Sequence, residues 1–205
     1  MKKFLIIFYW LPLHANLHIV KYQGDNVSAH IKTISSVCLQ CFNDYPYYNS
    51  TPIELHMFYT QQYASTADSL ICILFDDKQP VGIATGMPLA HFYTQPLLPH
   101  KEDAKTMYYL GELVIVKQYR HKGYGLKLYQ AFEEQVKKIG TYKTICFCEI
   151  DKTTVAQEPA DYKNLDIFWS NLGFVKSSST CYMEWFNNRA CKNIPHKMLF
   201  WFKTF

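Results

Sequence analysis

The chain has 205 residues, of which 49% are hydrophobic, 17% aromatic and 19% charged. This length suits one well-buried domain, and the composition excludes a disordered chain and a membrane-embedded one. The formal net charge of +4 comes from scattered lysines, which argues against a nucleic-acid-binding arm and suits an anionic small ligand.

The seven cysteines are an odd number, and most of them lie in apolar runs. Free cysteine in such runs behaves as a small hydrophobic residue, so we expect a reduced, cytoplasmic protein. Cys38 and Cys41 have the spacing of half a zinc site, but no second pair completes it. We therefore expect them to pack within a helix, and we expect no metal.

The chain begins with MKKFLIIFYWLPLHAN, which is similar to a signal peptide because lysines precede an apolar run. No small-x-small cleavage site follows, and the run is too short to span a bilayer. We expect residues 1–16 to form an additional edge strand or an apolar lid on a single domain covering 1–205.

Hydrophobic periodicity in the first half of the chain predicts two helices among three strands. The first helix follows a turn at Gly24, and the second has Ser50 or Thr51 as its cap with Pro52 at its first position. A hairpin follows, with DDKQP as its turn. The predicted strands are 17–23, 69–75 and 81–89, and the predicted helices are 27–42 and 53–64.

The second half begins with a polar loop over 91–105 that is long enough to be a substrate lid. A strand at 107–116 then leads to a helix that ends at Gly140. This helix carries one apolar stripe, formed by Leu128, Phe132, Val136 and Ile139. A buried strand at 144–150, a helix ending at Gly173, and closing strands at 179–186 and 196–203 complete a mixed α/β sandwich.

The sequence RHKGYG, residues 120–125, lies between an apolar strand and an amphipathic helix. The start of a helix carries unpaired N–H groups and a partial positive charge, so this loop could hold a pyrophosphate. Gly123 and Gly125 would allow a tight turn and a close approach of phosphate, while His121 and Lys122 add charge. The pattern is neither GxGxxG nor a P-loop, and taken alone it favours a polar turn over a phosphate site.

The longer stretch LGELVIVKQYRHKGYGLKLYQAFEEQVKKIG resembles the GNAT N-acetyltransferase superfamily, whose hallmark is [Q/R]-x-x-G-x-[G/A] between a strand and a helix. FWSNLGF is similar to the F-Y-x-x-x-G-F of that superfamily, and KMLFWFK resembles its closing strand. The order of elements from 17 to 205 also matches. The resemblance implies a mixed, mostly antiparallel sheet with a splayed central parallel pair, flanked by helices.

The resemblance also implies an enzyme that transfers an acetyl group from acetyl-CoA to a primary amine, by direct attack in a ternary complex. The pyrophosphate would lie on the backbone amides of 121–126. Main-chain groups of Val114 and Val116 would hold the pantetheine arm, and Arg120 would shape the loop. The implied cofactor-binding residues are Val114, Ile115, Val116, Arg120, His121, Lys122, Gly123, Tyr124, Gly125 and Leu126.

Glu112 is the first candidate for the general base that deprotonates the amine. Strand alternation places it on the same face as Val114 and Val116, unless a bulge changes the facing. Glu149 and Asp151 are alternatives at the end of a neighbouring strand. They could instead bind a cationic substrate or face water.

The superfamily often protonates the leaving thiolate with the tyrosine of F-Y-x-x-x-G-F, where this chain has Trp169. Tyr162, shortly before that helix, is the remaining candidate acid, and solvent is the alternative. The absence of the tyrosine keeps open a second interpretation, in which the fold binds acyl-CoA as a sensor or docking module without turnover.

The acceptor is expected to be an amine of a small molecule or a peptide. HFYTQPLLPH and YPYYN could line an aromatic acceptor pocket or cover the edge of the sheet. The tail LFWFKTF could bury itself within the sheet or against a second subunit, so a homodimer is possible.

Overall fold

A computed structural model describes residues 16–92, 101–155, 158–160 and 162–205. The predicted N-terminal edge strand or lid, and residues 93–100 of the predicted lid loop, lie outside these ranges. The strands are β1 (Leu17–Gln23), β2 (Leu70–Asp76), β3 (Gln79–Pro88), β4 (Met107–Ile115), β5 (Thr144–Ile150), β6 (Val175–Asn187) and β7 (Lys192–Thr204). The α-helices are α1 (Ile31–Phe42), α2 (Ile53–Ala64), α3 (Tyr124–Ile139) and α4 (Asp166–Asn171).

The seven strands form one sheet in the order β1-β2-β3-β4-β5-β7-β6. All neighbours are antiparallel except β4 and β5, which pair in parallel only from Met107 to Tyr109 against Thr144 to Cys146. Beyond those pairs the two strands separate and leave a gap in the middle of the sheet. The predicted sheet with a splayed central parallel pair is confirmed.

Helices cover both faces of this sheet. On one face α1 and α2 pack over residues such as Ile83, Tyr109 and Val114. On the other face Leu128, Phe132 and Val136 of the α3 stripe are fully buried against alternate residues of the same strands, and Ile139 is partly buried. Each such side chain contributes about 1.5 to 3 kcal/mol on full burial, so α3 is fixed firmly beside the gap.

Several boundaries differ from the sequence prediction. The helix expected from residue 27 begins at Ile31, because Gly24–His30 forms a 3-10 helix. Neither Ser50 nor Thr51 caps α2; Pro52 directly precedes it, and Asn49 Oδ1 accepts from the Thr51 N–H at 2.9 Å.

The closing strands β6 and β7 are longer than predicted, with 13 residues each. The main additions are residues 175–178 of β6 and 192–195 of β7, which are mostly polar and exposed, so apolar alternation did not mark them. Phe200 and Trp201 are fully buried or nearly so, since β7 lies between β5 and β6. Of the two alternatives for the aromatic tail, burial within the sheet is the one observed.

Cys38 and Cys41 lie on α1 and are buried against the sheet, as expected for packing residues. In the described ranges, no group of three or more His, Cys, Asp or Glu side chains could hold a metal ion. None of the helices in the described parts of the chain is long and apolar enough to cross a membrane.

Candidate active site

A β-bulge in β4 lies at the point where this strand leaves β5. Thr85 of β3 faces Glu112 and Gly86 faces Leu110, so Gly111 is the additional residue. A Cβ atom on Gly111 would collide with the Tyr63 hydroxyl and would come within 3.0 Å of Thr85 Oγ1. Glycine at this position therefore lets Tyr63 of α2 reach Glu112.

The carboxylate of Glu112 is held by two hydroxyl groups. Tyr63 donates to Oε2 at 3.0 Å and the Thr85 hydroxyl bonds the same oxygen, while the Glu112 N–H donates to Thr85 Oγ1 at 3.1 Å. Burial raises the pKa of Glu112, and the hydrogen bonds from Thr85 and Tyr63 oppose that rise. A fixed carboxylate with a raised pKa is suited to accept a proton near neutral pH.

Tyr63 is a permanent hydrogen-bond donor to this carboxylate. Its side chain is only 2% exposed. Burial, with the nearby Glu112 charge as a second cause, raises its pKa well above the usual value. Sequence reasoning missed Tyr63 and Thr85, because nothing local to either residue shows its proximity to Glu112.

The structure places Glu112, Val114 and Val116 on one face, as alternation predicted. Val114 and Val116 pack in the same core cluster as Tyr63, which contacts Glu112. The bulge lies just before Glu112, so it leaves the alternation among these residues unchanged.

The direction in which the main-chain groups point in this part of β4 differs from the expectation. The Val116 N–H donates to Val81 O on β3 at 2.9 Å. Because hydrogen-bonded pairs alternate in an antiparallel ladder, Val114 also turns its main-chain groups toward β3. The main-chain groups of Leu113 and the N–H of Ile115 therefore face the gap, whereas the Ile115 oxygen accepts from Arg120 Nε. This differs from the main-chain roles expected of Val114 and Val116.

The loop before α3 wraps around the start of that helix. His121 and Gly123 adopt left-handed conformations, with φ of 61° and 79°, and both are exposed. The first-turn N–H groups of a helix have no partner within it, so this end of α3 offers exposed donors and a partial positive charge. A Cβ on Gly125 would have its closest neighbour at 3.9 Å, in Ile115, so the space above the helix start is open.

Arg120 shapes this loop instead of extending toward a ligand. Its Nε donates to the main-chain oxygen of Ile115 at 2.8 Å and ties the end of β4 to the loop. The exposed Lys122 extends its ammonium group to 5.6 Å from the centre of the Tyr119 ring. Tyr124 is partly exposed and Leu126 is 39% exposed at the helix start. This arrangement fits a pyrophosphate bound by backbone N–H groups.

The alternative carboxylates are already engaged. Glu149 is only 8% exposed, accepts from Trp201 Nε1 at 2.9 Å and pairs with Lys176 at 3.1 Å on the opposite face of the sheet. Asp151 is 5% exposed and pairs with Lys197 at 3.1 Å. Both carboxylates are thus buried and paired with lysines.

Trp169 packs in the α3 side of the core, with its ring 4.2 Å from that of Phe147. It brings no hydroxyl to the position where the family resemblance implied an acid. The Tyr162 ring lies edge-on to Tyr45 at 4.7 Å. Burial, followed by the charge of Glu149, raises the pKa of Tyr162 to about 12, so its hydroxyl stays protonated at neutral pH.

Tyr47 packs against the same core cluster as Tyr63. It lies in the loop before α2, and its main-chain oxygen accepts from Trp185 Nε1 at 2.9 Å. Burial raises its pKa, and the charge of Glu149 adds to the rise, so its hydroxyl stays protonated at neutral pH. Sixteen tyrosines in the sequence gave no basis for singling it out.

Solved acetyltransferase structures share this fold at low sequence identity. An N-acetyltransferase from Staphylococcus aureus Mu50 has a TM-score of 0.58 at 14% identity, over 91% of this chain and 98% of the other. Arabidopsis thaliana NAA60 in complex with a bisubstrate analogue has a TM-score of 0.57 at 12% identity, over 91% and 98%. The PaiA N-acetyltransferase from Thermoplasma acidophilum in complex with coenzyme A has a TM-score of 0.52 at 14% identity, over 93% and 99%.

A comparison of the sequence with curated proteins gave no significant match. The family model for the acetyltransferase (GNAT) family matches residues 36–160. The matched range contains α2, the bulge, Glu112 and the whole loop before α3. The chain belongs to the acetyltransferase (GNAT) family, whose members use acetyl-CoA, and the resemblance found in the sequence is confirmed.

Proposed function

We propose that this protein transfers the acetyl group of acetyl-CoA to a primary amine by direct attack, with Glu112 as the general base. The observation that carries the proposal is the Glu112 carboxylate, held by Tyr63 and Thr85 beside the gap between β4 and β5. The exposed start of α3 supports a place for the pyrophosphate. The main-chain groups of Leu113 and the N–H of Ile115 support a place for the pantetheine arm.

In this mechanism the ammonium group of the acceptor loses a proton to Glu112, directly or through a water molecule. The amine nitrogen then attacks the thioester carbonyl, and the C–N bond forms. As the C–S bond breaks, the nitrogen releases its second proton to water, which balances the proton that the thiolate takes up. The leaving thiolate of CoA takes a proton from Tyr162 or from solvent. Tyr162 remains a prediction, supported by its protonated state at neutral pH.

The test is a thiol-release assay over a panel of amines, amino acids, polyamines and peptides. With the best acceptor, Glu112→Gln should lower kcat/KM and remove the acidic limb of its pH profile. The matched control is Glu184→Gln, because Glu184 is an exposed carboxylate on β6. This variant should leave kcat/KM and its acidic limb unchanged. An acidic limb that persists in Glu112→Gln would exclude Glu112 as the base.

The buried indole of Trp169 favours a second candidate function, because it supplies no hydroxyl acid. In that case the protein binds acyl-CoA as a sensor or docking module without efficient turnover. Calorimetric binding of acetyl-CoA with no thiol release from any acceptor would support it. Failure to bind acetyl-CoA at submillimolar concentration would contradict both functions.

A further inference from the structure

Three polar side chains meet where α2 packs on α1, and we call them the polar cluster. Ser35 Oγ of α1 lies 3.1 Å from Nδ1 of His56 and 3.3 Å from Oγ1 of Thr60, both on α2. His56 Nδ1 and Thr60 Oγ1 are 3.1 Å apart, and the Thr60 hydroxyl donates to the main-chain oxygen of His56 at 2.7 Å. The polar cluster thus joins the two helices through hydrogen bonds.

The polar cluster is buried between the helices. Ser35 is fully buried and Thr60 is 3% exposed. Burial lowers the pKa of His56 to about 4, so at neutral pH its neutral ring bonds the hydroxyls without a buried charge. A buried donor or acceptor that loses its partner is costly, so such groups tolerate little displacement. The polar cluster therefore favours one arrangement of α2 on α1.

Apolar burial alone does not define that arrangement. The two buried side chains of α2 are Thr60 and Tyr63. Three apolar side chains of the same helix face outward, since Leu55 is 43% exposed, Phe58 74% and Tyr59 53%. A rotation of α2 about its axis by one residue, roughly 100°, would bring Leu55 and Tyr59 inward, which apolar burial favours. That rotation would break the polar cluster.

Tyr63 lies on the same face of α2 as the polar cluster, because positions 56, 60 and 63 are four and three residues apart. Its hydroxyl donates to Glu112 at 3.0 Å. A rotation that breaks the polar cluster would carry this hydroxyl away from the carboxylate. The contacts of Ser35 therefore act on Glu112 through the position of Tyr63.

We propose that Ser35, His56 and Thr60 are positioning residues, which fix the rotation of α2 and thereby keep the Tyr63 hydroxyl on Glu112. This inference rests on the proposed function, in which Glu112 is the base. It adds that the proton affinity of the base is set partly from α1. The three side chains take no part in the chemistry at the thioester.

Two other titratable side chains face Glu112. Burial, followed by the charge of Glu112, raises the pKa of Cys38 on α1. Burial also raises the pKa of Tyr47 in the loop before α2, and Glu112 contributes weakly. Both groups stay protonated at neutral pH and supply no charge that a rotated α2 would remove. A change in the pKa of Glu112 on rotation would therefore come from Tyr63.

The kinetic test is the pH profile of kcat/KM for thiol release in Ser35→Ala and in Thr60→Val. Each variant should move the acidic limb to higher pH by roughly one to two units, the shift expected when the Tyr63 hydrogen bond is lost. Thr60→Ser keeps the hydroxyl and should keep the limb in place. The matched control is Ser36→Ala, because Ser36 is the exposed neighbour of Ser35, and it should also keep the limb in place.

An acidic limb that stays in place in both Ser35→Ala and Thr60→Val would overturn the proposal. A limb that Thr60→Ser moves as far as Thr60→Val does would also overturn it. A double-mutant cycle separates positioning from a general loosening of the fold. Ser35→Ala should shift the limb in the wild-type background but not in Tyr63→Phe, where the hydrogen bond is already absent. Equal shifts in both backgrounds would contradict the role of Tyr63.

A second measurement needs no turnover. The carboxyl-carbon NMR signal of Glu112, assigned by its loss in Glu112→Gln, reports the pKa of this group, and Ser35→Ala should raise that pKa. A raised pKa without thiol release from any acceptor would support the positioning and contradict the proposed acetyl transfer. Thiol release with an unchanged pKa in Ser35→Ala would contradict the positioning and leave the activity.

Discussion

Replacing Tyr63 with phenylalanine removes one hydroxyl from Glu112 and leaves the ring in the core. Burial raises the pKa of Glu112, and the bonds from Thr85 and Tyr63 restrain that rise by favouring the ionised form. A hydrogen bond to a charged group contributes about 1.5 to 3 kcal/mol, and about 1.36 kcal/mol corresponds to one pKa unit. We therefore expect Tyr63→Phe to move the acidic limb of kcat/KM to higher pH by roughly one to two units.

The measurement is kcat/KM for thiol release against pH, with one amine acceptor throughout. Activity on the plateau above the shifted limb should be largely retained, because the base itself is still present. Tyr59→Phe is the matched control, since Tyr59 lies on the same helix and is 53% exposed. An acidic limb at the same pH in Tyr63→Phe and in the wild type would refute the role of this hydroxyl.

The same raised pKa affects stability. A pKa that is higher in the folded than in the unfolded state means that protonation of Glu112 stabilises the fold. The stability that Glu112 gains in this way is fully present below the ordinary carboxyl pKa. That contribution is lost as the pH rises through the folded pKa.

Three further predictions concern the loop, the alternative base and a buried hydroxyl. Gly123 and Gly140 flank α3, and both have φ of 79°, so Gly123→Ala and Gly140→Ala should each lose about 1 to 2 kcal/mol of unfolding free energy in urea. Only Gly123→Ala should weaken acetyl-CoA binding in calorimetry, and equal affinities would contradict the loop assignment. Glu149→Gln should lower the unfolding free energy by about 1 to 3 kcal/mol and leave the acidic limb in place; a moved limb would restore Glu149 as a base. The Tyr48 hydroxyl is buried and has no hydrogen-bond partner among the described residues, so Tyr48→Phe should raise the unfolding free energy by about 1 kcal/mol. Tyr182→Phe, at a side chain 63% exposed, should not; a destabilised Tyr48→Phe would show that the hydroxyl already has a partner.

Elements defined by local pattern were predicted well. The α3 helix combines an apolar stripe with a glycine after its end. The structure buries three of the four stripe residues fully and Ile139 partly, and Gly140 caps the helix after Ile139. The apolar strand before the loop and the order of elements were sufficient to indicate the family. These features depend on neighbours within one or two turns of the chain.

Features set by strand register could not be predicted. The alternation of side chains correctly placed Glu112, Val114 and Val116 on one face, but it cannot show which main-chain groups face the gap. That depends on pairing with β3, which the bulge at Gly111 fixes. Tyr63 is 49 residues from Glu112 in the chain, so their contact follows only from the packing of α2 over the gap.

The position of β7 has a consequence for how the chain folds. β7 follows β6 in the sequence, yet it lies between β5 and β6 in the sheet. While the chain is being synthesised, β5 therefore presents an unpaired and largely apolar edge until residues 192–204 have left the ribosome. Exposed edges of this kind are where nascent chains aggregate or pair wrongly. A nascent chain stalled before β7 should thus depend on chaperones, although every residue proposed for acetyl-CoA binding and catalysis has already been made.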